Sequence, residues 1–266
     1  MGSVKVSYRV EGNGPALYLV HGIGARKTTW EYLVDGLKEH FTCVTHDLRG
    51  HGESPVPPVP YHLDQLVDDL EGLRKHLGHE RIHVAGHSLG GMIGPAYARR
   101  YPRRVLSVGL LSTAAGRTRA DRGKLQAVGR AMETNGVIPV MDTLVERWYT
   151  DAFIEARPDL IAKRKREVQD TPENVFLNVF RIYATTEMAP WLHEIHCPCL
   201  VLTGELDGAC TPRLNRLMAG KLPDSKLVIL DNLKHSVLVE APERVLPHVR
   251  DFLLARADGE TRVSRN

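Results

Sequence analysis

The sequence predicts a protein of the α/β class, with a mostly parallel central sheet, flanking helices and an inserted helical cap. Two observations lead to this prediction. Short apolar runs rich in β-branched residues alternate with helical patterns, which is typical of βαβ units and a parallel sheet. The alternation is interrupted once, by a charged stretch at 117–195 that is rich in helix-forming residues and poor in strand patterns. We interpret that stretch as helices inserted between two strands.

The predicted strands are short and apolar, as expected where helices cover both faces of a sheet. In chain order they are KVSYRV (5–10), ALYLV (16–20), FTCVTHD (41–47), RIHVAG (81–86), VLSVGLLS (105–112), CLVLTG (199–204) and KLVIL (226–230). The helical patterns that separate several of them are TTWEYLVDGLKEH (28–40), LDQLVDDLEGLRKHLG (63–78), GMIGPAYARRYP (91–102), PRLNRLMAGKLP (212–223) and PERVLPHVRDFLLARA (242–257).

Length and composition favour one main domain. A chain of 266 residues with 42% hydrophobic content can bury one sizeable core. We divide it into a core formed by 1–116 and 196–256, the cap at 117–195, and a polar tail at 257–266 that we expect to be frayed. An insertion at this point would overhang the carboxyl ends of the strands, where open α/β sheets bind their ligands.

The balance of charges argues for a small-molecule partner. The 35 basic and 32 acidic residues are spread along the chain and give a net charge of +3, which is too balanced for a nucleic-acid-binding surface. We expect no membrane partner, because no apolar run approaches the length of about 18 residues needed to cross a bilayer.

The four cysteines lack zinc or redox spacing, and the start of the chain does not resemble a signal peptide. We therefore expect a cytoplasmic protein with structural thiols, no metal and no cofactor; the oligomeric state is not indicated.

The segment AGHSLGG (85–91) contains the pattern G-x-S-x-G directly after a predicted strand and directly before a predicted helix. This pattern in this context is typical of the nucleophile elbow, in which a serine occupies a sharp strand-to-helix turn. An ordinary glycine-rich turn is the alternative interpretation. We predict Ser88 as a nucleophile.

A serine nucleophile needs a base and an acid that orients the base, and these follow the serine in the order acid, histidine. Asp207 follows the strand CLVLTG, and His235 follows the strand KLVIL. We therefore predict that Asp207 orients His235, with Glu205 and Asp231 as rival acids.

The loop HGIG (21–24) follows the strand ALYLV and is the expected source of an oxyanion-hole donor. We predict that the backbone N–H groups of Ile23 and Leu89 donate hydrogen bonds that stabilise the negative charge on a carbonyl oxygen under attack. We also expect His21 and Gly22 to contact the substrate.

Taken together, HGIG, DLRGHGES, GHSLGG, GELDGACTP and KHSVLVEAPERV resemble, in their order and context, the α/β-hydrolase superfamily. The resemblance runs from about Val4 to Ala255 and implies the α/β-hydrolase fold with a helical lid and a serine, aspartate, histidine triad that needs no cofactor. DLRGHGES is then a structural loop in which Asp47 and Arg49 connect backbone segments, although Arg49 could reach the edge of the pocket.

Within that superfamily the chain looks most similar to the 3-oxoadipate enol-lactonases and related bacterial carboxylic-ester hydrolases. GGMIG, ERWYTDAF and HSVLVEAPERV carry this resemblance, whereas enol-lactonases often have a small polar residue in place of His21. Because the substrates of that subgroup carry a carboxylate, we predict that Trp148 lines the pocket and that Arg147 or Arg181 favours anionic substrates. The basic run 163–166 is interpreted as a solvated helix face.

Hydrolysis of an ester or lactone through an acyl-enzyme is the function that these residues favour. Cleavage of a carbon–carbon bond in ring-cleavage products, and amide hydrolysis, are alternatives that use the same triad. A third alternative, from another class, is a non-catalytic ligand-binding protein on the same fold, which the complete triad argues against.

Overall fold

A seven-stranded sheet forms the centre of the computed structural model, which describes residues 5–263, with side chains to residue 256. Its strands run in the order β1-β3-β2-β4-β5-β6-β7; β1 pairs with β3 antiparallel and every other pair is parallel. The strands are β1 Tyr8–Glu11, β2 Ala16–Val20, β3 Thr42–His46, β4 Ile82–His87, β5 Val105–Leu111, β6 Cys199–Gly204 and β7 Ser225–Leu230. The predicted α/β class and mostly parallel sheet are confirmed.

Helices connect most of the strands and cover both faces of the sheet. They are α1 Glu31–Leu37, α2 Leu63–His76, α3 Gly90–Arg100, α4 Arg119–Asn135, α5 Met141–Trp148, α6 Asp151–Ala156, α7 Pro158–Gln169, α8 Glu173–Thr185, α9 Pro212–Lys221, α10 Val237–Glu240 and α11 Pro242–Val263, with short 3₁₀ helices at Lys27–Trp30, Pro102–Arg104, Ile138–Val140 and Leu192–Glu194. None of the helices within 5–263 combines the length and the apolar character that a bilayer span requires.

The core lies on both faces of the sheet because successive side chains of a strand point to opposite sides. On β2, Tyr18 and Val20 pack with α2, α3 and α9, whereas Leu17 and Leu19 pack with α1 and α11. All four side chains are fully buried. This two-sided burial explains why the strands appear in the sequence as continuous apolar runs rather than as alternating patterns.

The chain between β5 and β6 is helical and contains no strand, and α4 to α8 lie within it. We call residues 117–195, for which the cap is predicted, the helical segment. It has an apolar cluster of its own, which includes Met132, Leu144 and Phe176. The predicted tail at 257–266 falls partly outside the described residues; the backbone of α11 continues to Val263.

The loop after β3 is held by buried charges, as the sequence predicts for Asp47. The Asp47 carboxylate accepts hydrogen bonds from the backbone N–H groups of Lys27 (2.7 Å) and Glu53 (3.1 Å), and it pairs with the Lys27 ammonium at 2.7 Å. Arg49 is fully buried and forms a two-pronged ion pair with Asp69, at 2.6 and 2.7 Å. Arg49 therefore connects the loop to α2 and does not line the cavity described below.

The four cysteines are free thiols. Cys43, Cys199 and Cys210 are buried, and burial raises the pKa of the Cys43 thiol to about 12. A thiol with so high a pKa is a poor nucleophile at neutral pH, which agrees with a structural role for Cys43.

Candidate active site

Ser88 occupies the turn between β4 and α3, with a φ angle of 56°. This left-handed conformation is uncommon for any residue other than glycine, and it persists only where the surrounding structure enforces it. The Ser88 backbone N–H donates to Leu111 O at 2.9 Å, which fastens the turn to the end of β5. The sequence-predicted nucleophile therefore lies at the carboxyl edge of the sheet, on a constrained turn.

The glycines around Ser88 are required by close backbone contacts. A β-carbon on Gly86 would lie 2.0 Å from Gly90 O, and a β-carbon on Gly90 would lie 2.1 Å from Val20 O. Both distances are far below van der Waals contact, and the atoms concerned belong to the backbone. Any side chain at these positions would thus force β2, β4 and the start of α3 apart.

His235 and Asp207 meet across two loops that follow neighbouring strands. His235 Nδ1 donates to Asp207 Oδ2 at 2.8 Å, and Asp207 Oδ1 accepts from the N–H groups of Ala209 (3.0 Å) and Cys210 (2.8 Å). Glu205 and Asp231, the rival acids, are exposed, and in the described residues neither contacts His235. The structure thus brings the first-choice acid, and not its rivals, to the histidine.

Burial and charge act in opposite directions on this pair. Burial alone would lower the pKa of His235, but the Asp207 carboxylate outweighs it and raises the pKa above the usual histidine value. For Asp207, burial would raise the pKa, but the charge of His235 and the backbone N–H donors lower it. The pair therefore favours a charged carboxylate beside a readily protonated imidazole.

His87, inside the serine motif, is a residue whose role sequence reasoning missed. Its Nε2 donates to the backbone carbonyl of His235 at 3.0 Å, and the two rings lie 5.0 Å apart. Burial, with the nearby His235, lowers the pKa of His87 to about 3, so this ring is neutral. His87 therefore orients the backbone that carries His235.

Ser88 and His235 both line one cavity of about 290 Å³ at the carboxyl edge of the sheet. Within the described residues the Ser88 hydroxyl forms no hydrogen bond. A hydrogen bond between a serine nucleophile and its histidine base often forms fully only when substrate is bound. Gly22, Arg147 and Trp148, three of the predicted substrate-binding residues, also line this cavity. Its apolar wall includes Leu125, Val128, Leu144, Phe176, Phe180 and Leu238.

The loop that follows β2 lies directly on Ser88, because a β-carbon on Gly22 would come within 3.0 Å of Ser88 Cβ. Gly22 O accepts hydrogen bonds from His21 Nδ1 (2.7 Å) and from the Ala25 N–H (3.3 Å). The peptide between Gly22 and Ile23 is trans, so the Ile23 N–H points away from these donors. Neither this N–H nor that of Leu89 donates to an acceptor in the described part of the chain.

The structure places His21, one of the residues predicted to contact the substrate, away from the cavity. His21 is fully buried and does not line the cavity. Its Nε2 accepts from the Leu48 N–H at 2.9 Å, so Nδ1 carries the proton that is donated to Gly22 O. Burial, with His51 beside the ring, holds the pKa of His21 well below its usual value. His21 is a neutral residue that orients the peptide of Ile23.

Arg181, the second arginine predicted to favour anionic substrates, also lies outside the cavity. It extends from the surface of α8, where its exposed guanidinium pairs with Glu133 of α4 at 2.9 Å. Arg147 and Lys163, by contrast, are exposed residues that line the cavity and form no ion pair within the described residues. They are therefore cations at the opening of the cavity.

Residues 163–166, interpreted from the sequence as a solvated helix face, are not uniformly exposed. Arg164, in the middle of that run, has a side chain that is only 12% exposed, and it lines the cavity. Its guanidinium stacks over the Trp148 ring at 4.7 Å and donates to backbone carbonyls of the loop after β2. The pattern of charges in the run could not reveal this, because α7 turns only part of the run toward the site.

The helical segment also contacts the loop that carries His235. The Ser236 N–H donates to Trp148 O at 2.9 Å, and Lys234 Nζ donates to Glu146 O at 2.8 Å. Two backbone carbonyls at the end of α5 thus hold the residues on either side of His235.

Asp207, Cys210 and His235 are buried and bring three possible metal-ligand atoms within 4.8 Å of one another, a donor set that zinc could use. The imidazole and the carboxylate are already joined by their hydrogen bond, and Cys210 Sγ contacts Tyr183 Oη at 3.1 Å. Hydrogen bonding therefore accounts for the arrangement of these atoms.

Comparison with known proteins matches residues 15–242 to a family described as the alpha/beta hydrolase fold. A 3-oxoadipate enol-lactonase from Acinetobacter baylyi is 28% identical, with 90% of each chain covered. Among solved structures, the enol-lactonase from Burkholderia xenovorans is 28% identical, with a TM-score of 0.87 and coverage of 94% of this chain and 98% of the other. A thermophilic esterase from Thermogutta terrifontis is also 28% identical, with a TM-score of 0.86 and coverage of 96% and 94%.

Replacing Gly90 by alanine should destabilise the protein, because the new methyl group would overlap the backbone of β2. We expect the free energy of unfolding to fall by about 1–3 kcal/mol, the usual effect of overpacking. Gly123→Ala, in α4, is the matched control, because its β-carbon meets nothing within 4 Å and alanine favours a helix. Urea unfolding of both variants measures the difference, and equal stabilities would contradict the close contact.

Proposed function

The chain belongs to the alpha/beta hydrolase fold family, and on this basis we propose that it is a serine hydrolase that cleaves a carboxylic ester or lactone of a small molecule. The observation that carries the proposal is the joint position of two side chains. Ser88, on its constrained turn, lines the same cavity as His235, whose Nδ1 is held by Asp207 at 2.8 Å. This arrangement supplies a nucleophile, a base and an orienting acid at one end of the sheet.

In the first half of the proposed reaction, Ser88 Oγ attacks the carbonyl carbon of the substrate and His235 Nε2 takes the hydroxyl proton. The N–H groups of Ile23 and Leu89 donate hydrogen bonds to the negatively charged oxygen that forms from the carbonyl. The tetrahedral intermediate then collapses to an acyl-enzyme. The C–O bond breaks as the alkoxide leaves with the proton that His235 returns.

In the second half, water takes the place of the leaving group. His235 removes a proton from the water, the resulting hydroxide adds to the acyl carbon, and the bond to Ser88 Oγ breaks as His235 returns the proton. Asp207 stays ionised throughout and stabilises the imidazolium that forms in each half. The products are the free acid, the alcohol and the regenerated enzyme; a lactone gives a single hydroxy acid.

The cavity supports a small, partly apolar substrate that carries a negative charge. Its volume of about 290 Å³ is at the lower end of the range for small-molecule sites. Arg147 and Lys163, which form no ion pair among the described residues, offer positive charge where the cavity meets solvent. The similarity to enol-lactonases supports a lactone that bears a carboxylate.

Ser88→Ala tests the nucleophile directly. We expect hydrolysis of a p-nitrophenyl ester to fall by at least about 10⁴-fold, as when a triad serine is removed, and labelling by a fluorophosphonate to disappear.

Asp207→Asn should lower kcat by about 10⁴-fold, because an amide can hold the wrong histidine tautomer. Glu205→Gln is its matched control and should stay close to the wild type, since within the described residues the Glu205 carboxylate accepts a hydrogen bond only from the Asn232 N–H. A labelled or active Ser88→Ala variant would reject the mechanism.

The pH dependence of kcat/KM should reflect the raised pKa of His235. Only the neutral imidazole can accept a proton, so activity should be low in acid and should rise as the pH passes that raised pKa. We therefore expect the midpoint of the rising limb to lie above 6.5, the usual histidine value. Asp207→Asn should move the midpoint to lower pH, because the charge that stabilises the imidazolium is lost. A midpoint below 6.5 in the wild type would contradict this assignment.

Arg147→Ala tests the proposed recognition of a carboxylate. We expect the wild type to prefer a carboxylate-bearing lactone over its neutral methyl ester by tenfold or more in kcat/KM, about 1.4 kcal/mol, and we expect Arg147→Ala to reduce that preference. Arg181→Ala is the matched control, because Arg181 pairs with Glu133 away from the cavity. A wild type that prefers the neutral ester would leave a general carboxylesterase.

A further inference from the structure

Arg164 of α7 extends from the helical segment to the loop that follows β2. Its Nη2 donates to Ile23 O at 2.8 Å, and its Nη1 donates to Gly24 O. The Trp148 ring lies 4.7 Å from the guanidinium, and the Glu167 carboxylate lies 3.7 Å from it. The side chain is only 12% exposed, so these contacts are made largely out of solvent, where hydrogen bonds to a charged group are strong.

The loop after β2, residues 21–24, carries the proposed oxyanion donor, the Ile23 N–H, and we call it the oxyanion loop. The two carbonyls that Arg164 binds belong to consecutive peptides of this loop. In a trans peptide the C=O and the N–H point in opposite directions. With Ile23 O turned toward Arg164, the Gly24 N–H points the other way and donates to His51 Nε2 at 3.1 Å. A rotation of this peptide would therefore break hydrogen bonds on both sides of the loop.

The preceding peptide carries the N–H of Ile23, the proposed donor to the oxyanion. Its carbonyl, Gly22 O, is held from the core by His21 and by the Ala25 N–H. Three successive carbonyls are thus fixed, the first by core residues and the next two by a single side chain of the helical segment. Because adjacent peptides share the torsion angles of Ile23 and Gly24, release of the second and third carbonyls would loosen the first peptide, which only the two hydrogen bonds to Gly22 O would then hold.

The hydrogen bonds of Arg164 distinguish it from the other cations of the cavity. Both of its Nη groups donate to loop carbonyls, whereas Arg147 and Lys163 have no hydrogen-bond acceptor within the described residues. A planar guanidinium can bind two neighbouring carbonyls at once, which a lysine ammonium cannot do with the same geometry. Arg147 and Lys163 are therefore the cations available to a substrate, and Arg164 is committed to the loop.

We propose that Arg164 is a positioning residue that holds the oxyanion loop in its working conformation from the helical segment. The proposal rests on the serine-hydrolase function inferred above and adds to it that the helical segment helps to form the catalytic apparatus as well as the cavity wall. The positive charge of Arg164 also extends over the site, where it contributes to the lowered pKa values of His21, His51 and His87.

The kinetic test uses a neutral substrate, p-nitrophenyl acetate, so that recognition of a carboxylate plays no part. Arg164→Met should lower kcat by about 30- to 100-fold, approaching the loss of one oxyanion donor, with KM within about threefold of the wild type. Arg164→Lys should recover part of the loss, since it keeps the charge without the fork. Arg166→Met, an exposed cation on the same helix, is the control and should match the wild type. A kcat for Arg164→Met within threefold of the wild type would overturn the proposal.

A second measurement does not depend on activity. The Gly24 N–H donates a hydrogen bond to His51. Its hydrogen exchange, followed by NMR in the whole protein, therefore reports how often this hydrogen bond opens. Arg164→Met should raise this exchange rate by about tenfold or more, whereas Arg166→Met should not change it. Unchanged Gly24 exchange in Arg164→Met would overturn the proposal.

The two measurements separate this inference from the function on which it rests. If the wild type hydrolyses the ester and is labelled at Ser88 while Arg164→Met behaves like the wild type, the inference fails and the function stands. If the wild type is neither active nor labelled, the proposed function fails, and the exchange rate of Gly24 alone decides whether Arg164 holds the loop.

Discussion

Close backbone packing around Ser88 is the constraint on which the rest of the site depends. Gly86 and Gly90 let β4, β2 and the start of α3 approach to distances that a β-carbon would forbid, and only this approach allows the sharp turn with φ of 56°. Because the strands β2, β4, β5, β6 and β7 run parallel, the loops that carry Ile23, Asp207 and His235 emerge at the same edge. The serine turn thus sets the point toward which the other loops converge.

Neutral histidines give the site much of its order. His21, His51 and His87 are buried, and burial lowers the pKa of each ring. A neutral imidazole has one donor and one acceptor nitrogen, so each ring can align two backbone groups without adding charge. His235 differs because the Asp207 carboxylate raises its pKa. The carboxylate partner therefore distinguishes His235, the proposed base, from the three neutral histidines around it.

The sheet and the Ser88, Asp207 and His235 positions could be predicted because their signals are local. Apolar runs reflect burial on both faces of the sheet, and each candidate residue follows its strand within a few positions. Arg164 and Arg181 could not be distinguished in this way, because the rotation and packing of α7 and α8 decide which side chain faces inward. Arg164 contacts Ile23 across 141 positions of sequence. The position of His21 relative to the cavity could not be predicted for a related reason, since a histidine next to a glycine can face a substrate or support a turn.

The contacts that attach the helical segment to the core differ in whether they require a particular side chain in that segment. Ser236 and Lys234 bind the backbone carbonyls of Trp148 and Glu146, and a backbone carbonyl is present whatever residue occupies those positions. In the attachment at the loop after β2, the helical segment supplies the donor and the loop supplies the backbone acceptor, so this attachment needs the side chain of Arg164. Substitutions at positions 146 and 148 would therefore leave the acceptors of the first kind of attachment in place. In this chain, most of α5 could therefore change without loss of an attachment, whereas a change at position 164 of α7 would remove the attachment to the loop after β2.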